Sequence, residues 1–230
     1  PENKMTQLIW FRHDLRTIDQ PALSAAMEAG GDVRGVCLRT PARWQRHGWG
    51  PRRVQWYDAH VDCLKNDLAA LGIELDYLEV SQDEDLASRI HTHAIKHGAT
   101  ALHHGLEAGL DERRLDQKLH GLLRDEDIQP HPVSTETILP TDAIFTKSNR
   151  PFRVFTPFRK AWDLTFADLP TPEAEAHKPQ VATANPIGAW KPGSHAAMHR
   201  LHHFLEHGIE HYHHHRDRPD LDGTSSLSPW

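Results

Sequence analysis

Short apolar runs and stretches with helical spacing alternate along the first 133 residues of the sequence. Each run is five to eight residues long, and most are rich in Val, Ile, Leu, Phe or Trp, which is typical of buried strands. Because strands joined by helices pair in parallel, this alternation predicts one parallel sheet. The predicted strands cover residues 7–11, 33–38, 73–80, 100–105 and 128–133.

The first two segments between these runs carry clear helix signals. Residues 21–31 are rich in Ala and close on two glycines. A longer helix is predicted from Pro51 to Gly72, because Pro favours the first helical position and Gly the position just past the end. Its apolar residues fall on one stripe, as expected for a helix packed on a sheet. That stripe comprises Val54, Val61, Leu64, Leu68 and Leu71.

Two further helices are predicted after the third run. Ser81 and Glu84 have the spacing of a capping box, which predicts the start of a helix that ends at Gly98. Residues 111–123 predict the next helix, whose leucines recur at helical spacing. The leucines predicted to share its buried face are Leu115, Leu119 and Leu122.

The pattern as a whole predicts an α/β fold, a Rossmann-like five-stranded parallel sheet with helices on both faces. Ligands on such sheets bind beyond the carboxyl ends of the strands. The turn after the first strand, RHDLRTIDQ at residues 12–20, lacks the G-x-G-x-x-G fingerprint. A dinucleotide-binding Rossmann domain is therefore disfavoured, and the ion-forming residues Arg12, Asp14 and Arg16 are interpreted as a salt-bridged turn.

The composition changes after Trp162, where apolar periodicity is lost and proline becomes frequent. Such composition is typical of a connection between domains. A new helix is predicted from His195, with an apolar side that includes Leu201 and Phe204. We therefore predict an α/β domain over residues 5–166, a linker over 167–194 and the start of a helical domain over 195–230.

Composition and charge narrow the class of protein. The chain has 230 residues, a formal net charge of -6 and two cysteines, Cys37 and Cys63. This charge argues against the chain itself being a nucleic-acid-binding surface. No apolar run approaches the roughly 18 residues that span a bilayer, and so few cysteines indicate a reducing compartment. We expect a cytoplasmic protein that does not enter a membrane.

Three segments, in this order, resemble the DNA photolyase and cryptochrome family. They are IWFRHDLRTIDQPAL near the start, FRVFTPFRKAW in the middle and RDRPDLDGTSSLSPW at the end. The segment TPARWQRHGWGPRR is most similar to bacterial class I photolyases that act on cyclobutane pyrimidine dimers. The resemblance implies an N-terminal α/β domain that binds an antenna pigment, followed by an all-α domain that holds FAD and binds DNA.

The resemblance also implies a function for the longer protein. In that family, light drives electron donation from reduced FAD to a pyrimidine dimer in UV-damaged DNA. The full-length protein is expected to be a monomer. The chain is expected to end at the entrance of the helical FAD domain, so that by itself it is inactive and none of its residues is assigned to catalysis. Alternatives are action on the (6-4) lesion, a cryptochrome-like blue-light photoreceptor, and a stand-alone nucleotide-binding α/β module.

The last residues of the chain are the predicted FAD segment. Hydroxyls and backbone N–H groups near a helix start suit a pyrophosphate, although Ser and Thr are also ordinary helix caps. The resemblance assigns this run to the first contact with the FAD phosphates and adds a tyrosine that packs at the flavin. The residues so assigned are Tyr212, Thr224, Ser225, Ser226, Leu227 and Ser228.

A second predicted site would hold the antenna pigment. His47 follows the second predicted strand, and Asp111 and Glu112 follow the fourth. In family members that use methenyltetrahydrofolate, a His and an Asn-Glu pair occupy these positions, so Asp111 replaces an Asn. Acidic residues are also common at helix starts. The resemblance favours methenyltetrahydrofolate over an 8-hydroxy-deazaflavin, and an empty site is a further alternative.

Histidine is unusually frequent, with 20 residues in the chain. Several of them recur every fourth residue in the last predicted helix and form one stripe. Pairs with this spacing can chelate zinc or nickel, but true sites add other ligands and a second shell of contacts. We therefore predict no physiological metal. The stripe comprises His199, His203, His207, His211 and His215.

Overall fold

The architecture was determined from a computed structural model that describes residues 5–80, 85–169, 186–188 and 190–227. Strands and helices alternate up to β5, and the regular elements in the described residues after it are helices. The strands are β1 Thr6–Phe11, β2 Asp32–Arg39, β3 Glu74–Glu79, β4 Ala99–Gly105 and β5 Gln129–Val133. The helices are α1 Pro21–Glu28, α2 Pro41–Arg46, α3 Pro51–Ala70, α4 Leu86–Lys96, α5 Leu110–Arg124, α6 Phe155–Ala167, α7 Ser194–His207 and α8 Tyr212–His215, with a 3₁₀ turn at Ile209–His211.

The five strands form one sheet in the order β3-β2-β1-β4-β5. The pairs β1–β4, β2–β3 and β4–β5 are parallel. Leu8 to Phe11 of β1 are all buried, although successive side chains of a strand point to opposite faces. Both faces of this strand are therefore covered, as in other parallel sheets. The predicted α/β class with a five-stranded parallel sheet is confirmed.

The chain divides into two compact units. The first comprises residues 1–14, 19–33 and 85–175, and the second comprises residues 15–18, 34–84 and 176–230. In the first unit, α1 packs on β1, β4 and β5, and α5 packs on both α4 and β5. In the second unit, α3 packs on β3 through the buried Val61, Leu64 and Leu68. The predicted domain boundaries at 166 and 194 stay a prediction.

One sequence-based detail of the helices differs in the structure, and a second lies outside the described residues. In α5 the fully buried leucines are Leu119 and Leu123, whereas Leu122 is only half-buried, because residues four apart meet the sheet on the same side. Helix α4 begins at Leu86, and the carboxylate of Asp85 caps it by accepting a hydrogen bond of 3.0 Å from the amide of Ser88. The predicted capping box, Ser81 with Glu84, lies outside the described residues.

The turn after β1 is built around a buried arginine. The guanidinium of Arg12 donates to Glu107 over 3.0 Å and to Asp116 of α5, and it lies 3.8 Å from the centre of the Trp10 ring. The carboxylate of Asp14 accepts a hydrogen bond of 3.0 Å from the amide of Arg12. Arg12 is thus ion-paired, but its two carboxylate partners lie outside residues 12–20, the turn in which the sequence predicted the salt bridge.

A buried histidine, His104, and a half-buried one, His120, lie beside this turn. His104 of β4 is fully buried, and its Nδ1 lies 3.1 Å from the carbonyl oxygen of Gly105, to which it must donate. Its Nε2 therefore accepts from Nε2 of His120, 2.8 Å away. Burial, and to a smaller degree the charge of Arg12, lowers the pKa of His104 to about 4. Both rings are therefore neutral at physiological pH.

Across the described ranges, no helix combines the length and the apolar character that crossing a bilayer requires. The longest of them, α3, has 20 residues and carries charged side chains such as Arg52, Asp62 and Lys65. A helix of this composition is amphipathic and packs on a sheet.

We predict that Asp116→Ala lowers the free energy of unfolding by about 3 kcal/mol, because removing one partner leaves part of the buried charge of Arg12 uncompensated. Urea unfolding followed by tryptophan fluorescence measures this change. Arg114→Ala is the matched control, since it removes an exposed ion pair with Asp111 on the same helix and should cost less than about 1 kcal/mol. Equal effects of the two changes would contradict the role given to Arg12.

We also predict that His104 makes stability depend on pH between about 4 and about 6.5. In this window the unfolded chain binds a proton on His104 and the folded chain does not, so stability falls as the pH falls. His104→Gln should reduce that slope by about 1.4 kcal/mol per pH unit, which is the value for one proton. Urea titrations at several pH values measure the slope, and the exposed His199→Gln should leave it unchanged.

Candidate functional site

The predicted FAD segment follows the last helices of the second unit. Helix α7 ends at His207, a 3₁₀ turn follows Gly208, and α8 closes at His215. Tyr212 opens α8, is 41% exposed and packs edge-on against Phe204, with ring centres 5.9 Å apart. Within the described part of this segment, α8 is the final helix, and the chain continues as a loop to Leu227.

Residues 222–227, which we call the hydroxyl loop, bring three predicted FAD residues together. Thr224, Ser225 and Ser226 are consecutive and half-buried, and the hydroxyl oxygens of Thr224 and Ser226 lie 3.1 Å apart. Ser226 has a positive φ of 51°, which reverses the direction of its backbone. Leu227 is half-buried at the end of the loop, and Ser228 lies outside the described residues.

Arg200 of α7 holds this loop from one side. Its guanidinium forms a two-pronged ion pair with Asp222, in which Nη1 donates over 2.7 Å. The same group donates to the carbonyl oxygens of Thr224 over 2.8 Å and of Ser225 over 2.9 Å. The hydrogen bond to Arg200 lowers the pKa of the Asp222 carboxyl, which stays ionised at neutral pH. Three parts of the loop are thus fixed by one side chain.

The sequence did not single out Arg200, Asp222 or Gly223 as part of this site. Arg200 and Asp222 are 22 positions apart, so no local periodicity relates them. The Asp-Gly pair at 222–223 is a common turn signal and could have indicated that the loop is structured.

His47, the first of the predicted antenna residues, lies in the second unit. It is the C-terminal cap of the six-residue helix α2, which the sequence did not predict, and it is exposed. Its place in a pigment site stays a prediction.

Next to His47, α2 and the start of α3 form an aromatic groove of about 410 Å³. Trp44 and Trp49 stack in parallel with ring centres 5.0 Å apart, and the guanidinium of Arg53 lies 4.0 Å from the centre of the Trp49 ring. Asp58, which also lines the groove, accepts hydrogen bonds from Arg39 and Tyr77. Flat aromatic walls of this kind suit a planar ring, and His47 is not one of the lining residues.

Asp111 and Glu112, the other antenna residues, lie in the first unit and open helix α5. Asp111 is exposed and pairs with Arg114 over 3.4 Å. The carboxylate of Glu112 folds back against Gly109, the N-cap of its own helix. These contacts stabilise the start of α5, as acidic residues commonly do. Their role toward a pigment stays a prediction.

The histidine stripe predicted on one helix is wrong. Helix α7 ends at His207, and the 3₁₀ turn at Ile209–His211 separates it from α8, so the later histidines lie on other elements. Gly208, the C-cap of α7, ends the helix, although the four-residue spacing of the histidines continues in the sequence. His203 and His207 stack with ring centres 4.8 Å apart.

Comparisons with known proteins show what the chain is similar to. The DNA photolyase family model matches residues 7–179. A deoxyribodipyrimidine photo-lyase of Vibrio cholerae is 30% identical, in an alignment that covers 97% of this chain and 51% of that protein. The crystal structure of a class III photolyase of Agrobacterium tumefaciens has a TM-score of 0.77 and 25% identity, and covers 100% of this chain and 50% of that chain.

A cryptochrome structure of Synechocystis sp. PCC6803 has the same fold, with a TM-score of 0.76 and 22% identity, covering 100% of this chain and 53% of that chain. The chain spans about half the length of these relatives. The three segments that suggested the family from the sequence extend from β1 to the hydroxyl loop. Because the family model matches most of its length, the chain belongs to the DNA photolyase family.

Proposed function

We propose that the chain is the N-terminal, antenna-binding part of a light-dependent DNA repair enzyme that splits cyclobutane pyrimidine dimers. The observation that carries this proposal is the hydroxyl loop, which groups Thr224, Ser225 and Ser226 and is fixed by Arg200. Hydroxyls and backbone N–H groups on a rigid loop are the donors that bind phosphate groups. The loop therefore fits the pyrophosphate of FAD.

FAD, when bound, would supply the light-driven electron that splits the cyclobutane ring. The residues of this chain would bind and orient its phosphates, through Thr224, Ser225, Ser226 and Ser228. Tyr212 would pack at the flavin, for which its exposed ring in α8 is suited. No residue of this chain is assigned to bond cleavage, so activity is proposed only for the longer protein.

The antenna pigment is proposed to be methenyltetrahydrofolate rather than an 8-hydroxy-deazaflavin, with His47, Asp111 and Glu112 as the binding residues. Glu112 would accept hydrogen bonds from a pterin edge after leaving Gly109, which it now contacts. If the pigment is an 8-hydroxy-deazaflavin, the aromatic groove beside α2 is its proposed site, since the stacked Trp44 and Trp49 suit a planar ring.

The proposed partner is UV-damaged DNA, bound through the C-terminal half found in the relatives. The net charge of -6 supports a DNA-binding surface outside this chain, because a DNA-binding face needs cationic side chains. We propose a cytoplasmic monomer for the longer protein.

The test is a repair assay on the full-length product of the gene. Reduced protein and light should remove cyclobutane dimers from UV-irradiated DNA, whereas the same protein in the dark should remove none. The flavin absorption spectrum of the protein, measured in parallel, should show bound FAD. Substrates that contain only the (6-4) lesion serve as the second arm and should stay unrepaired.

Two outcomes would favour the alternatives. Full-length protein that binds FAD but repairs neither lesion would support a cryptochrome-like photoreceptor. The relation to the Synechocystis cryptochrome makes this the second candidate. Protein that binds a nucleotide without any flavin would contradict the proposed function and support a nucleotide-binding module.

A near-ultraviolet band retained by the chain alone would identify an antenna pigment. Glu112→Ala should remove that band if the folate binds as proposed, because the pterin loses its acceptor. Trp49→Ala should remove it instead if the pigment lies in the aromatic groove. The exposed Glu126→Ala on the first unit is the control and should leave the band unchanged.

A further inference from the structure

Arg200 makes more contacts with the hydroxyl loop than an ordinary ion pair needs. Arg200 and Asp222 are 22 positions apart in the sequence. The side chain of Arg200 is only 16% exposed, whereas that of Asp222 is 59% exposed. Besides Asp222, it bonds the carbonyl oxygens of Thr224 and Ser225. Its guanidinium also lies 5.6 Å from the centre of the Trp190 ring, which borders it on another side. The arginine is therefore oriented by several groups at once.

The two carbonyl contacts determine where the neighbouring amides point. In a planar trans peptide the C=O and the following N–H point in opposite directions. Because the oxygens of Thr224 and Ser225 face Arg200, the N–H groups of Ser225 and Ser226 face away from it. Among the described residues, no backbone acceptor takes a hydrogen bond from either amide. Two adjacent amides thus point to one side, next to the hydroxyls of Thr224 and Ser226.

The backbone of the loop is fixed at two further points. Ser226 adopts a left-handed φ of 51°, a conformation that also occurs in the turns whose successive backbone N–H groups bind anions. Gly223 is buried, and a Cβ built there would lie 2.7 Å from the carbonyl oxygen of His215. Only glycine lets the loop approach the end of α8 this closely.

We propose that Arg200 is a positioning residue for FAD: it holds the hydroxyl loop so that the amides of Ser225 and Ser226 and the hydroxyl of Thr224 face the pyrophosphate. This inference rests on the proposed function, because it assigns FAD as the ligand of the loop. Arg200 touches the loop through carbonyls and the carboxylate of Asp222, so it acts on the phosphates only through the backbone. Its contribution is preorganisation, which lowers the cost of ordering the loop on binding.

The experiment compares two ligands on the full-length protein. Apoprotein is prepared from the parent and from Arg200→Met, and the Kd values of FAD and of riboflavin are measured by quenching of flavin fluorescence. Loss of hydrogen bonds from a charged donor should raise the Kd of FAD by about 10- to 100-fold. Riboflavin lacks the phosphates, so its Kd should change by less than about threefold, which is within 1 kcal/mol.

Arg218→Met is the matched control. Arg218 forms the same two-pronged ion pair, with Asp220, over 2.8 and 2.6 Å, but it donates to no carbonyl of the hydroxyl loop. This variant should leave both Kd values unchanged. Arg200→Lys keeps the charge but lacks the planar fork, so it should fall between the parent and Arg200→Met. Circular dichroism and thermal unfolding show whether Arg200→Met folds. If it does not, Arg200→Lys replaces it in the comparison with the parent.

The outcomes separate this inference from the proposed function. Parent protein that binds no FAD would overturn both. Parent protein that binds FAD while Arg200→Met binds it equally tightly would overturn the positioning role alone. Equal losses of FAD and riboflavin affinity would also contradict it, because a general structural defect does not discriminate between ligands with and without phosphates.

Discussion

A buried positive charge must be paired, and the first unit is arranged around the pairing of Arg12. The residue stands at the carboxyl end of β1, and its partners Glu107 and Asp116 come from the turn after β4 and from α5. Breaking such a pair is costly because the remaining charge stays out of water. The end of β1, the turn after β4 and the face of α5 are therefore held in one geometry. The hydrogen-bonded pair of His104 and His120 joins β4 to α5 in the same unit.

Arg200 uses the same planar donor group in a different environment. Arg12 is deeply buried between two carboxylates, whereas Arg200 is near the surface and divides its bonds between Asp222 and backbone carbonyls. An ion pair at this depth contributes little to stability by itself. Its value lies in orienting peptide groups, which is a requirement of binding rather than of folding. One arginine thus stabilises the α/β fold, and the other shapes the segment proposed to meet FAD.

Most of the fold could be predicted because each element is marked by local signals. Strand β1 is a continuous apolar run, and α3 begins at Pro51 and is followed by Gly72, whose φ is 75°. Local patterns were poorer predictors of which residues are buried, because burial depends on contacts with neighbouring elements. Leu123 replaces Leu122 in the core because the position of α5 on β5 sets its buried side. The predicted histidine stripe was wrong because the four-residue spacing of the histidines continues past Gly208 in the sequence, whereas helix α7 ends before it.

The resemblance to the family, which the sequence carries, implied that Thr224 to Ser226 belong to the proposed FAD segment. The sequence by itself determined the α/β class and the order of the elements. These follow from periodicity, turn residues and short motifs, all of which are local along the chain. Only the tertiary structure decided that Arg200 reaches that segment, and that Glu107 and Asp116 share the charge of Arg12. Such pairings join residues more than 20 positions apart, and they depend on how helices pack, which no local pattern encodes.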